Sequence, residues 1–141
     1  MPRDLVPSEG SQTEISVTNL PPVLQAWKTA VENGDPAEVV KVYHPLGLLE
    51  GTMWSRYVCG HEDIRQYFDE FMQGKYSPGV EFNSLHISPT GNAYGGEYTF
   101  HWKTDVENAE EKELKANYTF ESMGDKIAIH HSSTQEIPAF D

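Results

Sequence analysis

Between Pro22 and the pair Asn33-Gly34, the apolar residues Leu24, Trp27, Ala30 and Val31 recur at the three-to-four spacing that puts one stripe of an amphipathic helix against a core. Proline is preorganised for a first helical turn and Asn-Gly supplies a stop, so the pattern bounds a first helix. Asp35-Pro36 opens a second, short helix through Val39, Val40 and Val42, since an Asp side chain caps free N–H groups and Pro suits the first turn. A third helix is predicted over Glu62 to Met72. Its buried stripe is Ile64, Phe68 and Phe71 or Met72, Tyr67 lies beside that stripe, and Gly74 ends it.

Elsewhere the helical period gives way to strand signals. Tyr43 to Thr52 is an apolar run around Leu46, Leu48 and Leu49, broken by Pro and Gly, which suits a short strand crossing into a core. Four further strands are predicted over Val80 to Ile87, Ala93 to Lys103, Lys112 to Glu121 and Lys126 to Ser133. Pro89-Thr90-Gly91-Asn92 and Gly124-Asp125 mark turns, and the charged stretch Asp105 to Glu113 reads as a solvated hairpin loop. Helices first and strands afterwards indicate an α+β fold. The organisation is a single domain over 20–138, preceded by a tail of residues 1–19 with two prolines and several hydroxyl residues, and followed by a short tail, 139–141.

A chain of 141 residues is long enough to bury a core without disulfides or metals. The formal net charge of -12, from 10 basic and 22 acidic residues, argues against nucleic acid and anionic membranes as partners, because both are held by clustered Lys and Arg. No apolar window approaches a membrane span, and Met1 to Gly10 lacks the basic start and apolar run of a secretory signal, so a soluble, cytoplasmic protein is expected. The single cysteine, Cys59, excludes an internal disulfide and a cysteine-rich zinc site.

The chemistry concentrates at Ile127 to Pro138, I-A-I-H-H-S-S-T-Q-E-I-P. Strict alternation along a strand puts Ile127, Ile129, His131 and Ser133 on one face and Ala128, His130 and Ser132 on the other. Each face then carries an imidazole beside a hydroxyl, which gives a lined cavity a proton-transfer group next to a donor and acceptor. A slip of one residue exchanges His131 and Ser133 for His130 and Ser132. Upstream, Tyr98-Thr99-Phe100 echoes Tyr118-Thr119-Phe120; in each, Tyr and Phe share a face, either as ordinary cross-strand packing or as an aromatic wall to a pocket. Trp54 and Trp102 read as packing residues.

Helices followed by a curved antiparallel sheet resemble the NTF2-like, or SnoaL-like, cone fold. Y-H-P-L-G-L-L-E-G-T at 43–52, I-R-Q-Y-F-D-E-F-M at 64–72, G-E-Y-T-F at 96–100, A-N-Y-T-F at 116–120 and I-H-H-S-S at 129–133 resemble the calmodulin-kinase-II association-domain branch. Within it they are most similar to iota-class carbonic anhydrases, whose last strand ends in H-H-S-S. The resemblance implies that Thr52, Tyr67, His131, Ser132 and Ser133 surround a small-anion site for bicarbonate, with or without a metal. The chain departs from the family pattern at Gly51, where the family expects Pro, in Trp54 to Gly60, which lacks the usual polar and basic run, and after the serines, where Met-Pro has become Thr134-Gln135-Glu136-Ile137-Pro138.

These readings give His131, Ser133, Thr52 and Tyr67 as catalytic candidates and Ser132, His130, Tyr98 and Tyr118 as substrate-binding candidates for reversible hydration of carbon dioxide. That reaction needs a nucleophilic water, a group to take its proton, and donors for the developing carbonate. Six histidines are present, but none form an i, i+4 helix pair and His130 and His131 point opposite ways, so zinc or manganese is not favoured as a cofactor. An isomerase or cyclase of the SnoaL type is the rival; it calls for a buried carboxylate base, with Glu50, Glu97 or Asp69 as candidates. A non-catalytic association or ligand-binding module is the third reading, and a homodimer or higher homo-oligomer through the sheet is expected.

Overall fold

The computed structural model describes residues 19–105, 107 and 110–134. The predicted tails, apart from Asn19, and the segment Gln135 to Pro138 lie outside these residues. The first helix, α1 (Pro22–Glu32), is followed by α2 (Pro36–Val40), β1 (Tyr43–Glu50), β2 (Val58–Cys59) and α3 (His61–Met72). Strands β3 (Tyr76–Phe82), β4 (His86–Ile87), β5 (Ala93–Lys103), β6 (Glu111–Met123) and β7 (Lys126–Thr134) complete the described chain.

The helices form where the apolar period placed them. α1 buries Val23, Leu24, Trp27, Ala30 and Val31, and Gly34 turns the chain at a positive φ of 72°. The Asp35 side chain caps α2 by accepting from the Ala37 N–H. α3 buries Ile64, Tyr67, Phe68, Phe71 and Met72, which brings Tyr67 into the buried stripe itself. A polar clasp ties α1 to the sheet: Lys28 Nζ donates to Glu32 and to the Val80 carbonyl, while Glu32 accepts from the Val80 N–H.

The described residues contain one seven-stranded sheet ordered β2-β1-β7-β6-β5-β3, with β4 paired to β5. It is mixed rather than wholly antiparallel, because β1 runs parallel to β7. A hairpin cannot join these two strands, and α3 with the long meander makes the crossover. Asn83 to Leu85 interrupts the strand predicted over Val80 to Ile87, so that it becomes β3 and β4. Strand β2 has no forerunner in the sequence pattern, and β6 begins inside the charged stretch that reads as loop.

One irregularity governs the site. Along β6 and β7, Phe120 pairs with His130 and Glu121 with Ile129, but Ser122 pairs with Ile127. Ala128 is therefore an extra residue in β7, a β-bulge that resets which face each following side chain occupies. Ile127, His130 and Ser132 are buried, whereas Ile129, His131 and Ser133 are only half-buried. The alternation read from the sequence runs one residue out of phase beyond Ala128, and the inward pair is His130 and Ser132.

Candidate functional site

The three helices and the inner face of the sheet enclose an aromatic core centred on Trp27. Its ring stacks on Tyr98 and meets Phe82, Phe100, Phe120 and His130 edge-on. Against this wall lies a small cavity lined by Trp27, Leu49, Gly51, Thr52, Tyr67, Phe68, Phe71, Tyr98, Phe100, His130 and Ser132. The space left for a water-sized molecule is about 10 Å3, on the order of one water. A wider cleft of about 480 Å3 beside Pro22, Val42 and Lys126 is open to solvent, but it lies away from the imidazole and hydroxyl cluster.

His130 sits at the back of the cavity, 2% exposed. Phe120 stacks on its ring with centroids 3.9 Å apart. Both ring nitrogens are engaged: Nδ1 is 2.7 Å from the Tyr43 hydroxyl and Nε2 is 3.0 Å from the Tyr98 hydroxyl. Trp27 Nε1 donates to the same Tyr43 oxygen at 3.1 Å. Burial, and secondarily the neighbouring His131, push the His130 pKa down to about 3, so the ring is neutral at physiological pH. Burial likewise holds the Tyr43 and Tyr98 hydroxyls well above the ordinary phenol range.

Nearer the opening, the Ser132 and Thr52 hydroxyls are 2.8 Å apart, and Ser132 moderates the rise at Tyr98. Ser132 and Thr52 line the cavity with Tyr67, whose oxygen accepts from the Met53 N–H at 3.3 Å. Burial raises the Tyr67 pKa to about 12, and the donors from Met53 and Thr52 moderate that rise. The phenol therefore keeps its proton at neutral pH. Gly51 is what admits it, because a Cβ there would overlap the Tyr67 ring and hydroxyl. Trp54 packs edge-on against Tyr67 and Arg56 covers Trp54, closing the outer side.

The structure thus brings together Thr52, Tyr67, Tyr98, His130 and Ser132. It separates from them His131 and Ser133, both on the outer face beyond the bulge. There His131 pairs across the strands with Glu50, with Nε2 3.5 Å from its carboxylate. Tyr118 is buried, but it stacks on Tyr98 and donates to the Ser84 carbonyl outside the cavity lining. Of the proposed bases, Glu50 is engaged with His131, Asp69 lies on the exposed side of α3 beside Arg65, and Glu97 belongs to β5 and is not among the lining residues. Among the described residues no three His, Cys, Asp or Glu side chains are grouped as a metal site would need.

Sequence reasoning missed Trp27 and Tyr43 as parts of the polar chain. The available signal was weak: both are aromatic side chains with a polar tip at predicted core positions, where such a tip needs a partner.

No protein-family model matches this sequence, and no curated protein does. Solved structures do. A protein from Xanthomonas campestris, provisionally assigned as a calcium/calmodulin-dependent protein kinase II association domain, is 27% identical with a TM-score of 0.64, over 82% of this chain and 85% of its own. A provisionally assigned polyketide cyclase from Xanthomonas campestris pv. campestris is 16% identical with a TM-score of 0.64, over 80% and 87%. An epoxide hydrolase-like protein from Mycobacterium tuberculosis is 16% identical with a TM-score of 0.61, over 80% and 76%. The chain has the α+β cone of the NTF2-like fold, shared with association-domain, cyclase-like and epoxide-hydrolase-like proteins. No helix among the described residues is long and apolar enough to cross a membrane.

Proposed function

We propose that the cavity binds a small compound through a carbonyl or oxyanion oxygen and polarises it, with the isomerase and cyclase branch of the fold as the reaction class. The observation that carries this reading is the Tyr67 hydroxyl, a buried phenol that retains its proton and stands with Ser132 and Thr52 in a cavity walled mainly by aromatic side chains. A donor in such a setting stabilises negative charge on oxygen far better than it would in water. His130 is not the base in this scheme. It is neutral and both nitrogens are occupied, so its part is to hold Tyr98 and Tyr43 in place. The cavity's own residues supply the electrophilic half of the chemistry, and the proton leaves to water or to a group on the substrate.

The test is deuterium exchange at the carbons flanking the carbonyl of acetone, followed by NMR with and without protein. Protein-dependent exchange that falls about 100-fold or more in Tyr67→Phe supports the reading. No exchange, together with no binding of formate, removes it.

A second reading, reversible hydration of carbon dioxide, is favoured by the small free space, which suits a ligand of very few atoms. In that case Ser132, Thr52 and Tyr67 hold bicarbonate, and the reaction shows as proton release on mixing with carbon dioxide. Turnover without ketone exchange selects this second reading over the first.

A further inference from the structure

The polar groups around the cavity form a chain whose direction is open at every link but one. An indole N–H can only donate, so Tyr43 must accept from Trp27. Tyr43 is fully buried, and its own proton finds one acceptor among its hydrogen bonds, His130 Nδ1. Leaving that proton unpaired inside the core would cost the full desolvation of a hydroxyl, so Nδ1 accepts and the neutral ring carries its hydrogen on Nε2. Nε2–H then donates to Tyr98, which leaves the Tyr98 proton for the cavity that its side chain lines.

We infer that Trp27 is a positioning residue: its single N–H sets the polarity of the chain from Tyr43 to Tyr98, fixes His130 as the Nε2–H tautomer, and leaves the Tyr98 proton as the last donor, at the cavity wall. The alternative polarity would spend the Tyr98 proton on His130 Nε2 and present an acceptor, not a donor, to a ligand. A cavity with acceptors outward would repel the oxygen ligand that the same cavity with donors outward attracts. The donation into the cavity rests on the reading of the site as a binder of oxygen ligands; the polarity of the chain does not.

The experiment is long-range nitrogen–proton NMR of the His130 ring in uniformly 15N-labelled protein, followed by formate titration. The expected spectrum has Nε2 protonated and Nδ1 bare. Protonated Nδ1, or fast averaging of the two forms, overturns the inference. Trp27 is then replaced site-specifically by benzothienylalanine, which keeps the ring's shape and removes its N–H. The expected result is loss of the single tautomer and about 5-fold weaker formate binding. An unchanged Nε2–H tautomer in that protein overturns the role of Trp27. Tyr43→Phe, which cuts the chain one link further on, should give the same loss. A fixed Nε2–H tautomer in a protein that binds no formate leaves the polarity standing and removes the functional reading instead.

Discussion

His130 and His131 are neighbours on one strand and meet opposite fates. The inner one is sealed between Phe120 and Trp27, bonded at both nitrogens and held neutral. The outer one is 41% exposed in its side chain and rests beside a single carboxylate. The serines that follow divide the same way. What a polar residue does is decided by the face it occupies, and on β7 that face is decided by one bulge.

The widest expected gap between the two histidines is in their contribution to stability across the acid range. His130 has a folded pKa of about 3 against an ordinary 6.5, so the unfolded chain binds a proton there that the folded chain refuses. Stability from this group is complete above pH 6.5 and is lost as pH falls from about 6.5 toward 3, by at most about 5 kcal/mol. Urea unfolding at stepped pH should show this slope in the native protein and a reduced one in His130→Gln. Equal slopes would remove His130 as its source.

At neutral pH, His130→Ala should cost roughly 3–4 kcal/mol, because it opens a void and leaves the Tyr43 and Tyr98 hydroxyls unpaired. His131→Ala should cost no more than about 1 kcal/mol, as expected for a half-exposed pair with Glu50. Comparable losses in the two variants would break the contrast. Gly51→Ala should destabilise by about 1–3 kcal/mol by forcing Tyr67 aside, with formate binding lost at the same time. A smaller effect separates the serines. Ser132→Ala should weaken formate binding by about 5-fold while Ser133→Ala leaves it unchanged, and the reverse result would return the outer face to the mechanism.

Much of this architecture was legible in the sequence. The helical stripe from Leu24 to Val31, the Asp35 cap and the bounds of β5 follow from local period and capping, and the structure realises each nearly as read. Thr52, Tyr67, Tyr98, His130 and Ser132 are candidates by sequence, and the structure sets all five around one cavity. The pair given the catalytic roles, His131 and Ser133, falls on the wrong side, because strict alternation has no means of registering Ala128 as an extra residue. Trp27 and Tyr43 stayed hidden for another reason. Their role depends on partners 16 and 87 residues away along the chain, and no local pattern encodes such a contact.

The bulge at Ala128 also bears on how the chain can vary. Deleting that one residue would restore simple alternation on β7 with His130 and Ser132 still opposite Phe120 and Tyr118, whereas sliding the intact strand by one position would carry His131 and Ser133 inward and His130 and Ser132 out. The duplicated H-H-S-S sequence means that the incoming side chains would be the same two kinds as those they displace. A one-residue slip would thus still bring an imidazole and a hydroxyl to the cavity while exchanging the strand's two faces, and the doubled motif buffers the inner face against that error.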